Sequence, residues 1–217
     1  MQQTVIRNKL RIIPNAYSEE EYSKQINDVA TFCSAMEDGI RKNMSFTKIS
    51  PKPVDLEFES KEEDDWLLKN WGTRGKALNA CWLSDDEMIF DTFWNPSIPI
   101  FIKIVNTFPN IDFEYNFASK RTGTKAGEIN ASEGKIVSLR LFKDYSKEAY
   151  EMAFKLMPHL RYEYTLNQKT NSYIYDVSDF RIAIEENGFY KGTDGTILIG
   201  HDDKKKPLFD AVKDLPF

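Results

Sequence analysis

Asn70-Trp71-Gly72-Thr73-Arg74-Gly75-Lys76 and, one short hairpin later, Phe93-Trp94-Asn95-Pro96 are the stretches that decide how this chain folds. An indole set beside two glycines predicts a shaped backbone turn rather than a solvated linker, because glycine reaches angles that other residues avoid. Trp71 and Gly72 are therefore expected to be structural, with the indole plugging the junction between a helix and a strand. Pro96 is expected to fix the turn after the second block.

Upstream, Val5 to Ile13 alternates apolar and charged residues and stops at Pro14-Asn15, which predicts a strand. Ser18 with Glu21 forms a capping box, and Tyr22, Ile26, Val29 and Cys33 follow at helical spacing to about Met36. Phe46 to Ile49 is expected to be a short strand, broken by Ser50-Pro51-Lys52-Pro53. The acidic run Glu57 to Asp65 leads into a short helix carrying Trp66, Leu67 and Leu68.

Downstream, Ala80–Leu83 and Met88–Phe93 flank Ser84-Asp85-Asp86-Glu87 as a hairpin with a charged tip. Ser97 is expected to cap a helix that has Pro99 in its first turn and ends at Pro109-Asn110. Ile111 to Ala118 is the clearest one-sided strand, and Gly134 breaks a second hairpin before Ile136 to Leu141. Ser146 to Met157 reads as a helix. Strands are expected at Tyr162–Tyr164 and Ser172–Val177, and beyond them come a short helical pattern, the strand Thr196–Ile199 and the basic run Lys204–Lys206.

This order predicts an α+β sandwich, an antiparallel sheet with helices on one face. Residues 1–176 form the main domain and 177–217 an α+β extension packed on it. No strand is followed by a glycine fingerprint and a crossover helix, which argues against a doubly wound parallel sheet.

With 217 residues, 41% hydrophobic and 13% aromatic, the chain can bury a core without disulfides. Its net charge of -5 and pI near 5.3 disfavour a protein that grips long nucleic acid through phosphates. Cys33 and Cys81 lie far apart with no second ligand nearby, as expected of two buried thiols in a reducing compartment. The N-terminal residues lack a signal-peptide core and no apolar stretch is long enough for a membrane span, so a cytoplasmic location without membrane contact is expected.

The residues quoted above resemble, in order, the YubB-like family of plasmid and phage proteins. The likeness runs from Asn8-Lys9-Leu10-Arg11-Ile12 through Phe46 to Pro53, Trp66, Asn70-Trp71-Gly72-Thr73 and Phe93 to Pro99, to Phe113-Glu114-Tyr115. It spans residues 8 to 135, and the Trp-Gly-Thr and Trp-x-Pro-x-x-Pro blocks carry it as a set. It implies a ferredoxin-like fold, a mobile-element context and no known catalytic residue. Two departures stand out: the family has a Trp-Cys pair where this chain has Ile6-Arg7, and a Lys-Trp pair where it has Arg74-Gly75.

No nucleophile, base and orienter can be assembled from the two histidines and two cysteines, and no catalytic, cofactor or metal residue is assigned. Ser84 to Glu87 and His201-Asp202-Asp203 could hold a divalent metal, but turn chemistry alone explains aspartates there, and Asp85, Asp86 and Glu87 are expected to be solvated. Lys120 to Lys125 with Gly123 and Gly127 invites a phosphate-loop reading. It lacks the Walker core, which favours a basic hairpin at a sheet edge.

Lys120, Arg121, Lys125, Arg74 and Trp94 are the candidate binding surface. Trp71, Trp82, Phe93, Trp94, Phe113, Tyr115 and Phe117 could stack bases, though a sheet covered by helices must bury most of them. The expected function is a non-enzymatic protein-interaction module working through an exposed sheet edge or loop face. The alternatives are a nucleic-acid or nucleotide binder and a small metal-dependent hydrolase.

Overall fold

Strand β1 (Val5–Pro14) buries Ile6, Asn8, Leu10 and Ile12 on one side and turns Arg7, Lys9 and Arg11 to the other, as its alternation requires. The computed structural model describes residues 4–37, 40–42, 44–176, 189–191, 197–199 and 206–207. It divides into two compact units, Met1–Pro158 and His159–Phe217, so the expected boundary after residue 176 falls within the second unit.

Helix α1 (Glu19–Cys33) starts at Ser18, whose side chain accepts from the Glu21 amide, and buries Ile26, Val29 and Cys33. After the small hairpin of β2 (Ala35–Glu37) and β3 (Ile40–Lys42), the chain makes a helical turn, α2 (Phe46–Ile49), where a strand was expected. The reason is local: the Ser45 side chain accepts from the Lys48 amide, and Phe46 and Ile49, three residues apart, are buried together. Helix α3 (Lys61–Asn70) is capped by Ser60 and terminated by Gly72, whose amide returns to the Leu67 carbonyl.

Strands β4 (Leu78–Trp82) and β5 (Glu87–Phe93) form the predicted hairpin. Helix α4 (Ile98–Thr107) follows. Ser97 occupies its cap position without making a side-chain cap bond, because its hydroxyl is engaged by the Tyr115 phenol instead. Strands β6 (Ile111–Ser119), β7 (Gly127–Ser132) and β8 (Lys135–Leu141) form a meander that leads to helix α5 (Lys147–Leu156), capped by Ser146.

The six-stranded sheet has the order β4-β5-β1-β6-β7-β8, antiparallel throughout. Each of the two β-α-β connections, β1-α1…β4 and β5-α4-β6, skips one strand. This is the split arrangement of the ferredoxin-like fold, with β7 and β8 added beyond it. The one-face layering holds for α1 to α4, whose apolar residues share a core with Leu10, Phe90 and Tyr115. Helix α5 lies against the other face, where Lys155 pairs with Glu114 at 2.9 Å.

The two aromatic blocks meet. Trp71 is buried, packs edge-on against Phe46 and Trp66, and donates its indole N–H to the Ser50 carbonyl at 2.9 Å. Thr73 donates its hydroxyl to the Phe93 carbonyl, tying the first block to the second. Beneath them Tyr115 donates to Asn8 Oδ1 at 2.6 Å and accepts from the Ser97 amide at 3.0 Å, while Asn8 Nδ2 donates to Thr92. This polar network is buried and satisfied, as a low-dielectric interior demands.

In the second unit a 3-10 segment, Pro158–Glu163, occupies part of the expected strand at Tyr162–Tyr164. Strands β9 (Tyr164–Asn167) and β10 (Ser172–Tyr175) pair, with Arg161 over the Tyr173 ring. Strands β11 (Phe189–Lys191), β12 (Ile197–Ile199) and β13 (Lys206–Pro207) form a small sheet. The expected helical pattern after Val177, His201-Asp202-Asp203 and Lys204-Lys205 lie outside the described residues.

Candidate binding surfaces

At one end of the sheet β1 begins while β5 and β6 finish. There Trp94 donates its amide to the Thr4 carbonyl and Lys120 donates its own to Val5. Asp91, fully buried on β5, accepts from Arg7 Nε at 2.6 Å, Lys120 Nζ at 2.8 Å and Asn79 Nδ2 at 2.9 Å. Burial alone would raise this carboxyl, but the bonds from Arg7, Asn79 and Lys120 outweigh it, and its pKa lies below the ordinary aspartate value.

A carboxyl depressed in the fold contributes stability above its unfolded value of about 3.9, and that contribution is lost as pH falls through the folded value. Asp91→Asn is therefore expected to be less stable near neutrality by about 1 to 2 kcal/mol, since Lys120 is partly solvated. Its urea midpoint should also vary less with pH below about 4 than the wild type's. Parallel midpoint curves for the two proteins would refute the assignment.

The same end holds most of the expected binding surface but employs it internally. Lys125 Nζ donates to the Trp94 carbonyl at 2.7 Å and to Asn95 Oδ1 at 3.3 Å. Trp94 is half-buried with φ +69°, an angle costly for a non-glycine residue that these tethers hold in place. Arg74 pairs with Asp64 at 3.5 Å. Arg121 is exposed, and its guanidinium makes no bond among the described residues.

The Lys120–Lys125 segment joins β6 to β7 inside the strand order and is not at a sheet edge. Of the aromatics considered as a stacking platform, Trp71, Phe113, Tyr115 and Phe117 are core residues, while Trp82, Phe93 and Trp94 are half-buried.

The acidic tip is less free than its sequence suggests. Asp86 accepts from Ser84 and pairs with Arg11 at 3.5 Å, and Glu87 pairs with Lys9 at 2.8 Å. Strand pairing brings those bases opposite the tip, so Asp85 alone fits the expectation of a solvated carboxylate. Among the described residues no group of three or more His, Cys, Asp or Glu could hold a metal. Cys33 is buried, which pushes its thiol up to about 12, whereas Cys81 is exposed rather than buried as expected. Among the described residues no helix is long and apolar enough to cross a membrane.

The other end of the strand order presents a different surface. Among the described residues strand β8 pairs only with β7, leaving its outer backbone unpaired in the sheet, and Val137, Leu139 and Leu141 are 63%, 54% and 65% exposed. Ile136, Leu139 and Leu141 stand opposite Ala131, Ile129 and Gly127, on the same face as α4. On the reverse face Arg140 pairs with Glu128, and Ser138 accepts from Asn130. A bulge opposite Asn130/Ala131 interrupts the ladder. The sequence marks Ile136 to Leu141 as a strand, but its edge position follows only from the strand order.

A ferredoxin-like domain is also what the comparison with known families finds. Residues 70–159 match the family model for the ferredoxin-like domain in Api92-like protein. The ferredoxin-like segment so matched contains β4 to β8 with α4 and α5, and both aromatic blocks. It leaves out β1, although β1 separates β5 from β6 in the sheet. No curated protein and no solved structure matches the chain.

Proposed function

We propose that this chain is a non-enzymatic protein-interaction module that takes an extended segment of a partner protein along β8. The observation that carries it is an edge strand whose outer backbone is unpaired among the described residues, with three apolar side chains more than half exposed. Edge strands are normally shortened, charged or covered, because they template further pairing. Lys135 and the bulge blunt only the start of β8, leaving Ser138–Leu141 regular.

An added strand would take main-chain hydrogen bonds for affinity and place alternate side chains on Leu139 and Leu141 for specificity. With Arg140 already neutralised by Glu128, the edge favours an apolar, uncharged segment over an acidic one. The likeness to YubB-like proteins supports a plasmid or phage setting. The nucleic-acid reading has weaker support, since Lys120, Lys125 and Arg74 already have internal partners.

Hydrogen exchange tests the proposal. The amides of β8 should be protected when the partner is captured, and Leu139→Lys with Leu141→Lys should abolish capture. That pair of exposed substitutions should shift stability by under about 0.5 kcal/mol each. A partner retained equally by the double variant would refute the site. Concentration-dependent protection with no partner added would refute the heterologous occupant in favour of a second copy.

A further inference from the structure

A cleft of about 370 Å³ opens between α1 and the tip of the β4–β5 hairpin, away from both surfaces described above. Its volume is in the range of small-ligand sites. Tyr22 and Ile26 of α1 and Trp82 of β4 supply apolar walls, while Asn27, Ser84 and Asp85 supply polar groups. Ile26 is buried and Trp82 packs against the core, so two of the walls are fixed, and Tyr22 is 39% exposed with its ring available.

The electrostatics are one-sided. Among the residues lining the cleft, Asp85 is the only charged one. Lys24, next to the lining residue Ser23, is engaged with Asp28 at 2.7 Å, and Arg11, beside the hairpin tip, with Asp86 and Glu87. Asp85 itself makes no ion pair among the described residues. An exposed carboxylate beside a tyrosine and a tryptophan attracts a cation twice, once by charge and once through the negative ring faces. A single carboxylate is too few oxygen donors for calcium or magnesium, which want six or more. An organic cation with an apolar stem satisfies all the walls.

We infer that this cleft binds a small organic cation, a guanidinium or alkylammonium head paired with Asp85 and laid against Trp82 and Tyr22. Such a head exists on a free amine and on an arginine side chain of a peptide, and the test separates the two sources.

Nα-acetyl-arginine amide is titrated into the full chain and followed by NMR shifts of the Tyr22 ring and the Trp82 indole. Saturable binding near about 1 mM is expected, with the uncharged isostere Nα-acetyl-citrulline amide at least about tenfold weaker. Asp85→Asn, at an exposed turn position, should keep the thermal melt and lose about tenfold or more in affinity. Tyr22→Leu should weaken binding of the cation more than of citrulline.

Equal affinity for arginine and citrulline amides would overturn the inference. So would unchanged binding by a folded Asp85→Asn, or saturable shifts that spare Tyr22 and Trp82. If Gly-Gly-Arg-Gly-Gly binds more tightly than the amide, the inference stands with a peptide arginine as the ligand. If n-butylamine binds more tightly than either, the inference stands with a free amine.

Discussion

Trp71→Ala is expected to destabilise the protein by about 3 to 5 kcal/mol, the range for truncating a buried aromatic. The indole is 4% exposed, touches Phe46 and Trp66 ring to ring, and satisfies the Ser50 carbonyl through its N–H. Alanine would leave a cavity between α2 and α3, together with an unsatisfied Ser50 carbonyl. For a chain of this length the melting temperature should fall by roughly 6 to 20 °C. Trp71→Phe should retain much of the packing and lose mainly the hydrogen bond, so its fall should be smaller. An alanine variant that melts with the wild type but has lost a binding partner would make Trp71 a contact residue instead.

Gly72→Val should be comparably damaging for two separate reasons. Gly72 has φ +79°, and a Cβ there would sit 2.6 Å from Pro99 Cδ and 2.9 Å from the Pro96 carbonyl oxygen. Neither neighbour is the end of a flexible side chain, so the backbone must move. The left-handed angle costs about 1 to 3 kcal/mol for a non-glycine residue, and overpacking about as much again. Gly72→Ala should already lose most of this, because the angle and the first clash come with Cβ itself.

Gly75 is the control. A Cβ there would meet only Phe93 Cδ2 at 3.8 Å, and its φ is unremarkable. Gly75→Ala should therefore be close to neutral. Gly72→Ala within about 0.5 kcal/mol of the wild type in chemical denaturation would refute the close-packed junction.

The sequence makes the regular elements visible wherever side-chain period and capping agree. Ser18 with Glu21 locates α1, and the alternation from Ile111 to Phe117 locates β6. It misleads at Phe46–Ile49, where Phe46, Thr47 and Ile49, each aromatic or β-branched, read as a strand. A cap at Ser45 and burial of both Phe46 and Ile49 wind them into a helical turn.

Surface chemistry is harder to read than fold. Lys120 looks like a free base until strand pairing sets it beside Asp91, and Asp86 looks solvated until Arg11 arrives from another strand. Each pairing joins residues far apart in the chain, and no local pattern encodes it. The exposure of β8 is hidden for the same reason: Ile136 to Leu141 has the composition of an interior strand, and only the strand order makes it terminal.

The place of β1 bears on how the protein is made. β1 leaves the ribosome well before both of its neighbours, β5 and β6, which end at residues 93 and 119. At about 5 to 20 residues per second, roughly 5 to 20 s pass before β6 can close on it. During that interval Ile6, Leu10 and Ile12 have no sheet to enter. Loop closure over such distances is slow as well as late, because its entropy must be met before any ladder bond forms. The unpaired β1 is thus exposed to misassembly over that interval, and the charges on its other side, Arg7, Lys9 and Arg11, keep half of it soluble while it waits.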